Sequence, residues 1–479
     1  MWIKKKLNNL SALSPAAKAS LVLMMTQMIQ KGLSIITSPI YTRLMTTSEY
    51  GEVTLFFSWY EILIIFTGFC LSKGVFNNGM IEYKKNRDVF AWSMCTLSIL
   101  ISISVCSIIL YFSKFVYNFM SLPFTLILYM SILLTFFEAL SIWTVKQRFE
   151  YRYKASAIIT LVIAVVSPIC GILGVILFEE RKVLARIVGA RNVFLVFYIA
   201  LFLYLAYKAK GKIKVEYWKF AFRFNLPLIP HYLSLHILNH MDRIMISNIV
   251  GNSYAGIYSI AYNAASIVKI FWQSINASLM PWTYEKCSQN KFDELAKLTK
   301  VLIHGYGLLC IAFMLIAPEI MRILAPESYH NGIYAIPAII AGVFFSALYY
   351  IFANVIYYYK KPKYVMLGSV CSAIVNVVLN ILLIPRFGYL AAGYTTMISY
   401  ILQVIIDYLA MKHILKKDIY DLRFILRISG LIILTSFILS YSYESIAIRV
   451  ALLIIFAIYV ILHISKNINI YRDFFKKKK

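Results

Sequence analysis

Long apolar runs separated by short polar ones dominate this chain. Fourteen of the runs approach the ~20 residues that a helix needs to cross a hydrocarbon core. They fall at residues 18–40, 52–72, 91–112, 122–145, 156–177, 186–207, 224–249, 254–281, 300–318, 334–358, 365–384, 390–411, 426–443 and 447–465. The pattern predicts an all-α polytopic membrane protein of about fourteen transmembrane helices. The longest gap, 73–90, is too short for a soluble domain. Any chemistry is therefore expected inside the membrane or in short loops.

Several spans interrupt the apolar pattern with polar residues in helical phase. At ~100° per residue, Thr26, Gln27, Gln30, Lys31, Ser34, Thr37, Ser38 and Tyr41 share one half of span 1. Span 7 repeats this with His231, His236, Asn239, His240, Asp242, Arg243 and Ser247, behind Pro227 and Pro230, which predict a break or kink. Span 8 carries Ser259, Tyr262, Ser266, Lys269, Gln273 and Asn276 on one stripe. Narrower stripes mark span 2 (Thr54, Ser58, Glu61), span 4 (Ser131, Thr135, Glu138) and span 11 (Ser369, Ser372, Asn376, Asn380). Lipid does not satisfy such faces, so each is expected to meet protein or water. A faint repeat accompanies the stripes. Ser48-Glu49-Tyr50-Gly51 lies between spans 1 and 2, and Ser253-Tyr254-Ala255-Gly256-Ile257-Tyr258 lies six spans later, the spacing of transporters built from two parallel halves.

Composition agrees with the pattern. Of 479 residues, 61% are hydrophobic and only 14% charged, against ~45–50% and ~25% in soluble domains. This excludes a soluble enzyme, a secreted disulfide scaffold and a low-complexity polymer. Six of the seven cysteines lie in apolar runs and none forms a CxxC, so neither disulfides nor a cysteine metal site is expected. The start carries Lys4, Lys5 and Lys6, and the long apolar run that follows has no obvious A-x-A cleavage site, so it reads as an uncleaved anchor.

The net charge of +27 changes the picture only through its placement. With the N-terminus cytoplasmic, one set of loops holds 36 Lys and Arg and the opposite set 8. By the positive-inside rule both termini are expected in the cytoplasm. The excess charge is then topology rather than nucleic-acid binding, with the tail Lys476–Lys479 expected at anionic lipid heads.

Six charges near mid-bilayer need a compensating environment: Lys31, Glu61, Glu138, Asp242, Arg243 and Lys269. Each costs ~2.5–3.5 kcal/mol at mid-bilayer on the lenient scale, so a wet cavity lined by spans 1, 2, 7 and 8 is expected to hold them. Lys31 and Lys269 sit near mid-span and are read as cavity cations rather than snorkelling residues. Arg243 serves equally as an anion ligand or as half of an ion pair, and Glu61, Glu138 and Asp242 as charge balance or ion coupling. His236, Asn239, His240, Gln30 and Gln273 complete the candidate substrate-binding set. No cysteine or carboxylate in sequence completes a good site for the histidines, so no metal is expected. Arg191 and His304 read as packing residues, and the Tyr349-Tyr350 and Tyr357-Tyr358-Tyr359 clusters as interfacial belt. GxxxxGK[ST], HExxH and GxSxG are all missing, so neither an enzyme nor a bound cofactor is expected.

Certain segments resemble a known family. They are Ile35-Ile36-Thr37-Ser38-Pro39-Ile40-Tyr41-Thr42-Arg43-Leu44 with Ser48-Glu49-Tyr50-Gly51, and Asn225-Leu226-Pro227-Leu228-Ile229-Pro230-His231 with Asp242-Arg243. Ala255-Gly256-Ile257-Tyr258, Asn376 to Pro385 and Gly388-Tyr389-Leu390-Ala391-Ala392-Gly393 join them. Together they are similar to the Wzx-type polysaccharide flippases, in the superfamily that also holds MATE drug exporters and the lipid II flippase. The resemblance implies two six-helix lobes around a central cavity, residues 1–210 and 211–412, followed by two further helices and a basic cytoplasmic tail over 413–479. It implies alternating access for an undecaprenyl-diphosphate-linked oligosaccharide in the bacterial inner membrane, with O-antigen repeat units as the expected substrate. Other polysaccharide assembly proteins are implied as partners and nucleic acid is not. Capsule or exopolysaccharide units remain an alternative substrate, and a MATE-like drug or cation antiporter an alternative function.

Overall fold

The computed structural model describes residues 15–476, with side chains described except at 15–21, 23, 24, 27 and 463–476. The basic runs Lys4–Lys6 and Lys477–Lys479 and the side chains of Gln27 and Lys476 lie outside the described residues. Each expected span coincides with a helix, and no strand occurs among the described residues. In chain order these are α1 (Pro15–Leu44), α2 (Thr47–Gly68), α3 (Arg87–Tyr111), α4 (Phe124–Phe149), α5 (Tyr153–Leu177), α6 (Lys182–Lys208) and α7 (Ile229–Ile249). They continue as α8 (Asn252–Ser288), α9 (Phe292–Leu315), α10 (Ile336–Tyr358), α11 (Pro362–Phe387), α12 (Leu390–Leu415), α13 (Leu422–Ser442) and α14 (Ile446–Lys476). Nine of them, α3 to α6 and α9 to α13, are long and apolar enough among the described residues to cross a membrane on composition alone. The helices that miss this mark include α1, α2, α7 and α8, which carry four of the six polar stripes. The protein is an all-α, multi-pass membrane protein.

Two local readings are corrected by backbone chemistry. The Ser48–Gly51 motif is the first turn of α2 rather than a connecting loop. Thr46 and Glu49 form a reciprocal capping box there, Thr46 N–H donating to Glu49 Oε2 at 2.7 Å and Glu49 N–H to Thr46 Oγ1 at 3.2 Å. The gap between spans 6 and 7, residues 208–223, is not a plain loop but contains most of a helix, Val215–Asn225. A 3-10 turn at Leu226–Leu228 then separates it from α7. The break falls where Pro227 and Pro230 placed it, because neither ring nitrogen donates a hydrogen bond.

The chain divides into two compact units, Met1–Ser259 with Ala373–Gly388, and Ile260–Ser372 with Tyr389–Lys479. In the first, α1 packs on α5, α5 on α6, and α2 on both α3 and α7. The turn after α2 passes through Phe69 and Cys70, both left-handed at φ 48° and 53°. Its polar groups are taken up by side chains: Ser72 N–H donates to Glu138 Oε1 at 2.6 Å, and the Asn225 amide donates to the carbonyls of Phe69 and Cys70. In the second unit α10 is the central helix, enclosed by α9, α12 and α13 and almost wholly buried. Tyr349 on α10 is therefore a core residue rather than part of an interfacial belt.

Candidate functional site

The sequence placed polar faces against protein or water, and many hydroxyls need neither. Thr54, Ser58, Ser131, Thr135, Ser259 and Ser266 each donate to the carbonyl four residues back on their own helix. What remains is a smaller set of charged, amide and imidazole groups.

On α1, Lys31 is exposed and Gln30 half-buried, while Thr26 and Ser38 on the same polar half are buried. The apolar half, with Met25, Met28, Ile29, Ile36 and Ile40, is exposed as lipid-facing residues are. Asp242 on α7 is 2% exposed and fully engaged. Tyr258 O–H donates to its Oδ2 at 3.0 Å and the Asn380 amide to its Oδ1 at 2.8 Å. Asn376 accepts from Asn380 at 3.3 Å, so a carboxylate and two amides from α7 and α11 form one buried network. Arg243, adjacent in sequence, points elsewhere and donates Nη1–H to the Asn239 carbonyl at 2.7 Å.

Among the described residues, no ion pair joins Arg243 to Glu61 or Glu138. Glu61 on α2 faces His236, with Oε2 3.8 Å from Nδ1, and Glu138 serves the Ser72 amide. Within the second unit, Lys269 on α8 stands in the field of the Tyr262, Tyr350 and Tyr400 phenols. Gln273 is half-buried one turn further along α8, and Asn276 accepts from the Asn354 amide at 2.8 Å. Arg191 matches its reading as a packing residue, lying 4.6 to 4.9 Å from the ring centres of Phe57, Phe194 and Tyr60.

A membrane helix bundle that buries a carboxylate–amide network and keeps cations on polar faces has the composition of a transport path. The model of the family described as "Polysaccharide biosynthesis protein" matches residues 16–285, more than half of the chain. The chain belongs to the polysaccharide biosynthesis protein family. The MatE family model also matches, over residues 227–382. Among curated relatives, "Lsg locus putative protein 1" of Haemophilus influenzae is 29% identical over 41% of this chain and 50% of its own length. "Probable low-salt glycan biosynthesis flippase Agl15" of Haloferax volcanii is 21% identical over 35% of this chain and 36% of its own. The chain thus spans half or less of these relatives' lengths. A solved structure described as "Lipid II flippase MurJ, inward closed conformation" superposes with a TM-score of 0.68 at 13% identity, over 93% of this chain and 100% of that one. An inward-facing multidrug resistance MATE family transporter of the MOP superfamily superposes at 0.62 and 15% identity, over 84% and 99%. At these identities the likeness is one of fold.

In this polysaccharide biosynthesis family member the structure also exposes residues that the sequence pattern did not single out. Lys73 reads as one more topological charge just after span 2. Its ammonium lies 4.3 Å from the Tyr232 ring centre and within electrostatic reach of Glu61, Glu138, His231 and His236. Asp407 on α12 is wholly buried, and neither of its carboxylate oxygens has a hydrogen-bond partner among the described residues. Gln403, one turn earlier, has both amide atoms in the same condition. The sequence signal for this pair was a polar series at four-residue spacing in span 12, Thr395, Ser399, Gln403 and Asp407.

Proposed function

We propose that the protein is a flippase that moves undecaprenyl-diphosphate-linked oligosaccharide repeat units across the bacterial cytoplasmic membrane by alternating access. The observation that carries this reading is the family match over residues 16–285, which includes every charged stripe of α1, α2, α7 and α8. The charge chemistry supports it: the head group is an anionic diphosphate bearing many hydroxyls. Lys31, Arg243 and Lys269 supply charge, and Gln30, Asn239, His236, His240 and Gln273 supply directed donors and acceptors. Asp242, Glu61 and Glu138 serve as charge balance or ion coupling. The lobes are proposed at 1–210 and 211–412, with 413–479 as an appended pair of helices and tail. O-antigen units are the proposed cargo and capsule units the nearest alternative. No catalytic step on the chain is needed. Deleting the gene and locating lipid-linked repeat units tests the reading. Accumulation on the cytoplasmic face is expected, and normal surface polysaccharide without accumulation would overturn it.

A MATE-like antiporter is the second reading, supported by the MatE match over 227–382. Drug extrusion by the purified protein in vesicles, unaffected by lipid-linked saccharide, would favour it. Orientation is tested separately. A reporter fused after Lys212 is expected to be cytoplasmic and one near Glu327 periplasmic. Reversed behaviour at both would invert the proposed direction of transport.

A further inference from the structure

Sequence alone left the histidines of α7 without a carboxylate. The fold supplies one. His236 and His240 stand one turn apart on α7, so both project from the same side of the helix. Their rings are 6.0 Å apart between centres and nearly parallel, at 23°. Glu61 reaches them from α2, which packs directly on α7 within the same compact unit. One ligand atom from each of Glu61, His236 and His240 lies within 4.8 Å of the other two.

A hydrogen bond between the Glu61 carboxylate and the His236 ring does not account for this cluster. The Glu61–His236 separation of 3.8 Å is beyond hydrogen-bond distance. The Nδ1 of His236 is buried and has no hydrogen-bond partner among the described residues. An imidazole nitrogen held in that state beside a carboxylate and a second imidazole has the arrangement of a ligand set. Donor atoms around a tetrahedral ion with bonds of ~2.0–2.1 Å stand about 3.3 Å apart. The contraction from the observed spacing is within reach of side-chain rotation alone. The site is also accessible, the Glu61 and His236 side chains being 34% and 19% exposed.

We propose that Glu61, His236 and His240 bind a divalent first-row transition metal of the Zn²⁺ class, tying α2 to α7. Two imidazoles and one carboxylate select such an ion over Mg²⁺ or Ca²⁺, which take oxygen ligands. Three protein ligands leave a fourth position for water or an anion. Glu61 is the single anion in the set, and Lys73 and Arg191 lie within electrostatic reach of it. The loaded site therefore stays cationic and favours an anionic fourth ligand. The proposal stands independently of the transport reading, and its test uses no transport assay.

The full-length protein, purified in detergent without a polyhistidine tag and stripped with chelator, is titrated with Co²⁺ and with Zn²⁺. The expected result is one ion per chain, with the visible absorption of tetrahedral Co²⁺ bleached by Zn²⁺. Saturating Zn²⁺ is expected to raise the melting temperature. The variants Glu61→Gln, His236→Gln and His240→Gln are each expected to weaken Zn²⁺ binding by roughly 100-fold or more, while His231→Gln binds as the parent does. The Co²⁺ spectrum of the unmodified protein decides the matter if a variant does not fold. Absence of a stoichiometric Co²⁺ site, or equal affinity in the three variants and the parent, would overturn the proposal.

Discussion

Replacing Gly51 by alanine is expected to lower both melting temperature and surface polysaccharide, and replacement by leucine to abolish transport. A Cβ at Gly51 would stand 1.8 Å from the Asn252 carbonyl oxygen and 2.6 Å from its carbon. A Cβ at Gly256 would stand 2.3 Å from the Thr47 carbonyl oxygen. The obstacles are backbone atoms at the first turns of α2 and α8, so no side-chain rotation relieves them. Overpacking of this kind costs ~1–3 kcal/mol, occasionally more, and the two helix ends must separate to accommodate it. Gly305 and Gly430 provide the control, since nothing lies within 4 Å of a Cβ at either. Alanine there is expected to be neutral or to stabilise by up to about 1 kcal/mol, the helix-propensity difference. Unchanged melting of Gly51→Ala in detergent, measured beside Gly305→Ala, would refute the close backbone approach. That approach also explains the faint sequence repeat. Its two glycines are where the repeated segments meet, Gly51 against Asn252 and Gly256 against Thr47.

The second large effect concerns the cations. Lys31→Ala, Arg243→Ala and Lys269→Ala are each expected to cripple surface polysaccharide while protein level holds. Removing a hydrogen bond to a charged group costs ~1.5–3 kcal/mol, roughly 10- to 100-fold in affinity. Lys31→Arg keeps the charge and is expected to retain partial function. Arg243→Lys is expected to do worse, because the guanidinium already holds the Asn239 carbonyl at 2.7 Å and a point charge does not reproduce the fork. An ion-pair explanation predicts rescue when Arg243 and a carboxylate are removed together. With Glu61 facing His236 and Glu138 bound to the Ser72 amide, neither double variant is expected to rescue. Wild-type polysaccharide in all three alanine variants would remove the cations from the substrate path.

Sequence alone determined the fourteen helices, the break before α7 and the helices on which charge is retained. These follow from local quantities: apolar run length against membrane thickness, helical phase, and the geometry of proline. Partners were legible only in part. Helical phase places Asp242, Arg243 and His236 on one half of α7, but not which neighbour each meets. The tertiary structure gave Asp242 to Tyr258 and Asn380, Glu138 to the turn at Ser72, and Glu61 to the two histidines. Lys73 and Asp407 escaped the pattern for the same reason. One resembled every other loop lysine and the other the last member of a polar series in a mostly apolar span, until packing put a ring and two histidines beside the first and enclosed the second. The hydroxyl stripes misled in the opposite direction, since a serine or threonine that bonds back to its own helix looks in sequence like one that faces water. Periodicity is a property of one helix. Which groups meet depends on how helices separated by tens to hundreds of residues pack, and that is settled by tertiary packing that no single span encodes.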